Sequence, residues 1–167
     1  MLGSTRTVFE QEKYKILKAS SRDAPVVSAL TKGDWSERVA ISQRRKIDNP
    51  TQIAEDLRAG GGLVLYRANL PVAALSYVHA RDGSWELRRL GVTRSYSGRG
   101  FTSLLLDALE TLAKEAEVRS IRIPVETYAP QYKAYFEKLG FSVDADRTFS
   151  TIFAGELQPI RMRKVVG

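Results

Sequence analysis

The sequence predicts an α/β (α+β) protein in which strands and helices alternate along one chain. Three observations carry that expectation. Leu63 to Thr93 reads as three short strands in succession, broken at Asn69-Leu70-Pro71 and at Asp82-Gly83, the latter a hairpin signal. The following segment places apolar residues at 101, 104, 105, 108, 109, 112, 113 and 116, the 3.6-residue stripe of an amphipathic helix. Arg119 to Val125 then reads as a short strand of the fully buried type.

Around this centre each element has its own signal. Tyr14 to Ala19 is the first strand. Ser20-Ser21-Arg22-Asp23 resembles a capping box and opens an apolar helix through Leu30, broken by Gly33-Asp34. A second helix is expected over Trp35–Ile47. Asn49-Pro50-Thr51-Gln52 starts a third, with a cap residue, proline in the first turn and glutamine at the box position. It ends at Gly60-Gly61-Gly62. The meander strands are Leu63–Arg67, Val72–Arg81 and Trp85–Thr93. With Asp82-Gly83 as a two-residue turn, Arg81 pairs with Ser84, His79 lies opposite Glu86 and Tyr77 opposite Arg88. Pro130 opens a helix carrying Tyr132, Tyr135, Phe136 and Leu139, ended by Gly140. Phe141 to Phe153 and Gln158 to Val166 form a closing hairpin around Ala154-Gly155.

Composition narrows the chemistry. The 167 residues are expected to form a single domain, 1–167, with one core. No apolar run reaches membrane-spanning length, and Met1 to Lys15 lacks the apolar stretch of a signal peptide, so the expected setting is cytoplasmic, with no membrane partner. There is no cysteine, and His79 is the single histidine. A thiol nucleophile is thereby excluded, and no metal site of the Cys/His kind is expected. A Ser-His-Asp hydrolase has no Gly-x-Ser-x-Gly elbow to support it. Twenty-six Lys and Arg against 19 Asp and Glu give a net charge of +7. That balance favours anionic partners: a polyphosphate cofactor, an acidic substrate or nucleic acid. Arg44-Arg45-Lys46 is the densest basic cluster.

The segment Ser97-Gly98-Arg99-Gly100-Phe101-Thr102-Ser103 joins the third meander strand to the amphipathic helix. A glycine turn that opens a helix leaves backbone N–H groups pointing one way, at the positive end of the helix dipole. These donors form a seat for phosphates, and Arg99 adds charge beside it. The pattern is neither a Walker loop nor a dinucleotide fingerprint.

Two motifs then resemble the GNAT superfamily of N-acetyltransferases. Leu90-Gly91-Val92, followed by Tyr96 to Thr102 and Leu104-Leu105-Leu106, is similar to the family's cofactor motif Arg/Gln-x-x-Gly-x-Gly/Ala. Tyr135-Phe136-Glu137-Lys138-Leu139-Gly140-Phe141 resembles its Tyr-Glu-Lys-Leu-Gly-Phe signature. The resemblance spans Trp85–Phe141 and implies a mixed, mostly antiparallel central sheet flanked by helices. It implies acetyl-coenzyme A as cosubstrate, its pyrophosphate on the N–H groups of Ser97, Gly98, Arg99, Gly100, Phe101, Thr102 and Ser103. The pantetheine arm would lie along the backbone of Leu90 and Val92, with the Val92 N–H polarising the thioester carbonyl. Ser97 and Thr102 depart from the motif, since Ser97 lacks a long donor and Thr102 is branched; Arg99 or Arg94 can compensate. Phe136 stands where many relatives keep a tyrosine that protonates the leaving thiolate. The reading favours it as a core aromatic, and Tyr128 over Tyr132 and Tyr135 as the acid.

An amine near pKa ~10.4 must lose a proton before it attacks. Glu86 lies six residues before Val92, the offset at which the histone-acetyltransferase branch places its general base. Strand parity puts Glu86, Arg88, Leu90 and Val92 on one face in the absence of a bulge. A plain Glu–Arg surface pair is the competing reading of Glu86. Arg88 is a candidate for binding an acid on the acceptor. The expected function is acetyl transfer to a primary amine of a small molecule or peptide. Two alternatives stay open: an RNA-directed acetyltransferase acting on aminoacyl-tRNA, with nucleic acid a partner not favoured, and a non-catalytic coenzyme A-binding module. The oligomeric state is open and includes a homodimer.

Overall fold

The computed structural model describes residues 7–11, 13–32, 49–96, 98–125, 130–144 and 160–167. Eight strands form one sheet: β1 (Thr7–Gln11), β2 (Tyr14–Ala19), β3 (Gly61–Arg67), β4 (Leu70–His79), β5 (Trp85–Val92), β6 (Ser120–Val125), β7 (Ser142–Val143) and β8 (Ile160–Val165). Their spatial order is β1-β2-β3-β4-β5-β6-β8-β7. Every pair is antiparallel except β5 with β6. The described helices are α1 (Ala24–Thr31), α2 (Pro50–Ala59), α3 (Phe101–Glu115) and α4 (Pro130–Lys138). Strand β1 precedes the one expected to be first; its Thr-Val-Phe-Glu-Gln run is too polar to announce itself, and it forms against β2 as an edge.

Local chemistry accounts for the helix boundaries. The Ser20 N–H donates to the Asp23 carboxylate at 2.8 Å, within the expected capping box. Asn49 accepts from the Thr51 N–H at 2.8 Å and starts α2. Gln52 does not reach back to the cap; its amide donates forward to Asp56 at 2.9 Å. The Trp35–Ile47 helix and the Arg44-Arg45-Lys46 cluster lie outside the described residues, as does most of the closing hairpin between β7 and β8.

The meander departs from expectation at both turns. Between β3 and β4 the turn is Ala68-Asn69, with φ of 48° and 69°, not Asn69-Leu70-Pro71. Two consecutive positive φ values give the turn whose twist suits a hairpin. Between β4 and β5 the loop has three residues, Arg81-Asp82-Gly83: Ala80 N–H donates to the Ser84 carbonyl at 2.8 Å, and Gly83 has a φ of +90°. The extra loop residue slips the register by one. His79 faces Trp85, Val78 faces Glu86 and Tyr77 faces Leu87, so the expected His79–Glu86, Tyr77–Arg88 and Arg81–Ser84 pairings do not form.

The sheet has a core on each side. On one, α1 and α2 pack Val27, Leu30, Ile53 and Leu57 against Val64 and Ala74. On the other, Leu105 and Leu109 of α3 and Phe136 of α4 pack against Leu65, Leu75, Leu87, Leu90 and Val92. Each such side chain contributes roughly 1.5–3 kcal/mol when buried. At Gly91 the chain of α1 comes so close that a Cβ would lie 2.3 Å from the Leu30 carbonyl oxygen. Only glycine lets α1 seat on β5 there.

Candidate active site

Strands β5 and β6 set the site. They run parallel, and among the described residues they pair only at Trp85–Ile121 and Glu86–Arg122. β6 remains fully paired to β8 through Val125. Beyond Glu86 the two parallel strands therefore part, and a wedge opens towards their carboxyl ends.

The direction of the β5 backbone follows from one bond. The Thr93 N–H donates to the Val72 carbonyl at 2.9 Å, towards β4. Successive residues of a strand aim their N–H and C=O groups at opposite edges. Those of Val92 and Leu90 therefore point the other way, towards the wedge. Their side chains are buried under α3, which leaves only backbone for a ligand to meet.

Glu86 sits at the apex of the wedge and is 3 % exposed. A bulge lies in β5 between the Tyr77–Leu87 and Ser76–Arg89 pairs, with Arg88 as the extra residue. This corrects the expected parity. Glu86, opposite Val78, and Arg89, opposite Ser76, share the α1–α2 face, whereas Leu90 and Val92 face α3. Arg88 is 3.4 Å from the Glu86 carboxylate and its side chain is 26 % exposed, so the pair meets at the edge of the solvent. His79 does not oppose Glu86: it stacks on Trp85 at 5.9 Å, and Trp85 stacks on Tyr77 at 4.3 Å. Burial pushes the Tyr77 hydroxyl above its ordinary pKa.

The glycine turn follows β5 after a short 3-10 turn over Arg94–Tyr96. Gly98 and Gly100 have φ of +77° and +81°, with nothing within 4 Å of where a Cβ would sit. The backbone conformation, not crowding, demands glycine. Gly100 caps α3, no side chain among the described residues caps the helix, and its first turn carries no acid. Arg99 lies over the Tyr96 ring, 5.1 Å from its centre. Uncapped N–H groups of Phe101, Thr102 and Ser103, the helix dipole and a guanidinium together suit a polyphosphate. The residues present thus fit coenzyme A at both ends, phosphates at the turn and an extended arm in the wedge.

Ser97 and Tyr128 lie outside the described residues, and the Tyr132 side chain is likewise not described. Phe136 is fully buried, and a cap explains why. The Phe141 N–H donates to the Phe136 carbonyl and the Gly140 N–H to the Glu137 carbonyl, both at 3.0 Å, with Gly140 at φ +97°. This is the Schellman ending, completed by the Phe136–Phe141 ring contact at 5.9 Å. Tyr135 is exposed on the outside of α4.

Two groups near the site gave no sequence signal. Arg89 is fully buried and bonds Asp56 of α2 at 2.7 Å and the Ser76 hydroxyl at 3.1 Å. Arg122, also buried, pairs with Asp82 and lies 3.5 Å from Asp144, while Arg163 reaches both carboxylates at 3.1 Å. Their partners lie between 13 and 81 residues apart, beyond any local pattern.

Comparison with known proteins agrees with this geometry. The model of the acetyltransferase (GNAT) family matches residues 27–141. No curated protein matches the chain. Among solved structures, the chain is similar to the PaiA N-acetyltransferase of Thermoplasma acidophilum in complex with coenzyme A, with a TM-score of 0.72, 15 % identity and coverage of 92 % of this chain and 99 % of that one. It is similar to Ard1 of Thermoplasma volcanium at TM-score 0.71 and 17 % identity, covering 93 % and 99 %. It is also similar to the ribosomal-protein-S18-alanine N-acetyltransferase of Escherichia coli at TM-score 0.68 and 16 % identity, covering 92 % and 94 %. None of the described helices is long and apolar enough to cross a membrane. With the family's model matched over residues 27–141, more than half of its length, the chain belongs to the GNAT family of acetyltransferases and is an acyltransferase that uses acetyl-coenzyme A.

Proposed function

We propose that the protein moves an acetyl group from acetyl-coenzyme A to a primary amine of a small molecule or peptide, by direct transfer within a single domain. The wedge between β5 and β6, with the Leu90 and Val92 backbone groups directed into it, is the observation that carries this reading. With no cysteine in the chain, a thiol-linked acyl-enzyme has no nucleophile. In this reading Gly98 to Ser103 hold the pyrophosphate. The N–H groups of Leu90 and Val92 hold the pantetheine arm and stabilise negative charge growing on the thioester carbonyl oxygen. Glu86, buried behind Arg88, takes the amine proton through water. Tyr128 gives a proton to the departing thiolate. The nitrogen lone pair forms the new C–N bond as the C–S bond breaks. Arg88 recognises an anionic group on the acceptor. The setting is the cytoplasm.

The test is turnover. The protein is incubated with acetyl-coenzyme A and separate pools of monoamines, amino acids, short peptides and aminoacyl-tRNA, and product masses are read alongside thiol release. Acetylated small amine or peptide supports the reading. Acetylation of aminoacyl-tRNA alone replaces it with an RNA-directed enzyme. Coenzyme A binding without any product overturns catalysis and leaves a binding module.

A further inference from the structure

Arg67 ends β3 and belongs to neither family motif, yet it reaches the glycine turn. Its Nη1 donates to the Tyr96 hydroxyl at 3.3 Å, across 29 residues of chain. Its guanidinium carbon is 5.8 Å from the centre of the Tyr96 ring and 6.0 Å from that of Tyr14. Arg99 lies against the same Tyr96 ring. Tyr14 and Tyr96 in turn pack on Phe101, the first residue of α3, at 5.3 and 5.8 Å. Two arginines and three aromatic rings therefore form one cluster at the helix N-terminus.

Two features make this more than packing. No ion pair joins either arginine to a carboxylate among the described residues, and the Arg67 Nε is buried without a hydrogen-bond partner there. Two guanidiniums drawn to one ring beside a positive helix end repel each other, a cost that a bound polyanion offsets. Second, nothing crowds the glycines flanking Arg99. Among the described residues the Arg99 guanidinium rests on the Tyr96 ring, and Arg67 holds that ring by hydroxyl and face.

We propose that Arg67 is a positioning residue for the phosphate end of coenzyme A, acting through Tyr96 to hold the Arg99 guanidinium at the glycine turn. It serves where Ser97 supplies no long donor.

The test is calorimetric titration of coenzyme A into the full chain, with Tm as a fold control, for the wild type, Arg67→Ala, Arg67→Lys, Arg99→Ala and the Arg67→Ala/Arg99→Ala double variant. Arg67→Ala and Arg99→Ala each weaken binding about three- to tenfold, the range expected for a partly desolvated cation–π contact. The double variant binds no more weakly than Arg99→Ala alone, because one contact chain is cut twice. Arg67→Lys stays folded and keeps the charge, yet loses affinity, since an ammonium cannot match the planar stack. Unchanged Kd with a lowered Tm in Arg67→Ala or Arg67→Lys would make the residue structural and overturn the proposal. Fully additive losses in the double variant would also overturn it, by making Arg67 an independent phosphate contact.

Discussion

Glu86 and Leu90 lie four residues apart on β5, yet their side chains occupy opposite faces of the sheet because Arg88 bulges between them. The carboxylate thus approaches the wedge from the α1–α2 side, while the Leu90 backbone lines the wedge itself. In the proposed function an acceptor that enters from the α1–α2 side meets Glu86 first. Glu86→Gln keeps the shape and removes the base. The expected loss in kcat is about 10²–10⁴, with the Kd for coenzyme A unchanged. A kcat within twofold of wild type would reduce Glu86 to a buried partner of Arg88.

Arg88 is the partly exposed member of its pair with Glu86. Its guanidinium can meet a substrate carboxylate or phosphate without leaving Glu86. Arg88→Ala is expected to raise KM for acceptors that carry an acid by about tenfold, the worth of one charge-assisted hydrogen bond. KM for neutral amines should stay level. Equal KM values for both acceptor types in wild type and variant would sink the assignment.

Phe136 occupies the motif position of a catalytic tyrosine but serves as the inner half of a helix cap. Phe136→Ala removes a fully buried ring and its contact with Phe141, which is expected to cost about 3–5 kcal/mol in chemical denaturation. Phe136→Tyr places a hydroxyl where the ring is wholly enclosed, at a cost of about 1–3 kcal/mol if the group finds no partner. No gain in kcat should accompany it. A faster Phe136→Tyr enzyme would show that the ring edge reaches the leaving thiol.

Legibility in the sequence followed the range of the interactions. The Asn49 cap, the Gly140 ending and the stripe of α3 are set within one or two turns of chain, and each was readable. The GNAT signatures were readable for the same reason, being local strings that build a turn and a cap. The β4–β5 register was not, because it hangs on whether Asp82-Gly83 closes in two residues or three. Asp82 decides that by turning its carboxylate onto the Ser84 N–H at 3.0 Å and hydroxyl at 2.6 Å. One residue of slip, and one bulge at Arg88, then moved the Glu86 side chain to the other face from Leu90 and Val92. Arg67, Asp56 and Arg122 act through partners distant in sequence, and no spacing rule reaches them.

Asp56 and Arg89 tie α2 to the middle of β5 behind the site. Removing one member leaves the other charged and buried. Asp56→Ala is expected to destabilise the protein by about 3–5 kcal/mol. Asp56→Leu combined with Arg89→Met should recover much of that loss, since an apolar pair needs no compensation. Chemical denaturation of the three proteins checks this; an Asp56→Ala protein as stable as wild type would mean that water or other groups satisfy Arg89.

Asp82 makes the lower end of the β5–β6 junction sensitive to acid. Partial desolvation favours its protonated form, but the Ser84 hydroxyl and N–H, followed by the Arg122 and Arg163 guanidiniums, outweigh this and hold its pKa below the ordinary 3.8. A depressed folded-state pKa means that the unfolded chain binds the proton first. The contribution is therefore complete above the ordinary value and is lost as pH falls through the lower, folded-state one. Below about pH 4 the wild-type Tm should fall more steeply than that of Asp82→Asn, whose side chain cannot titrate, while at pH 7 the wild type should be the more stable of the two. Parallel Tm curves between pH 5 and pH 3 would show that the carboxylate gains no net stability from its two arginines.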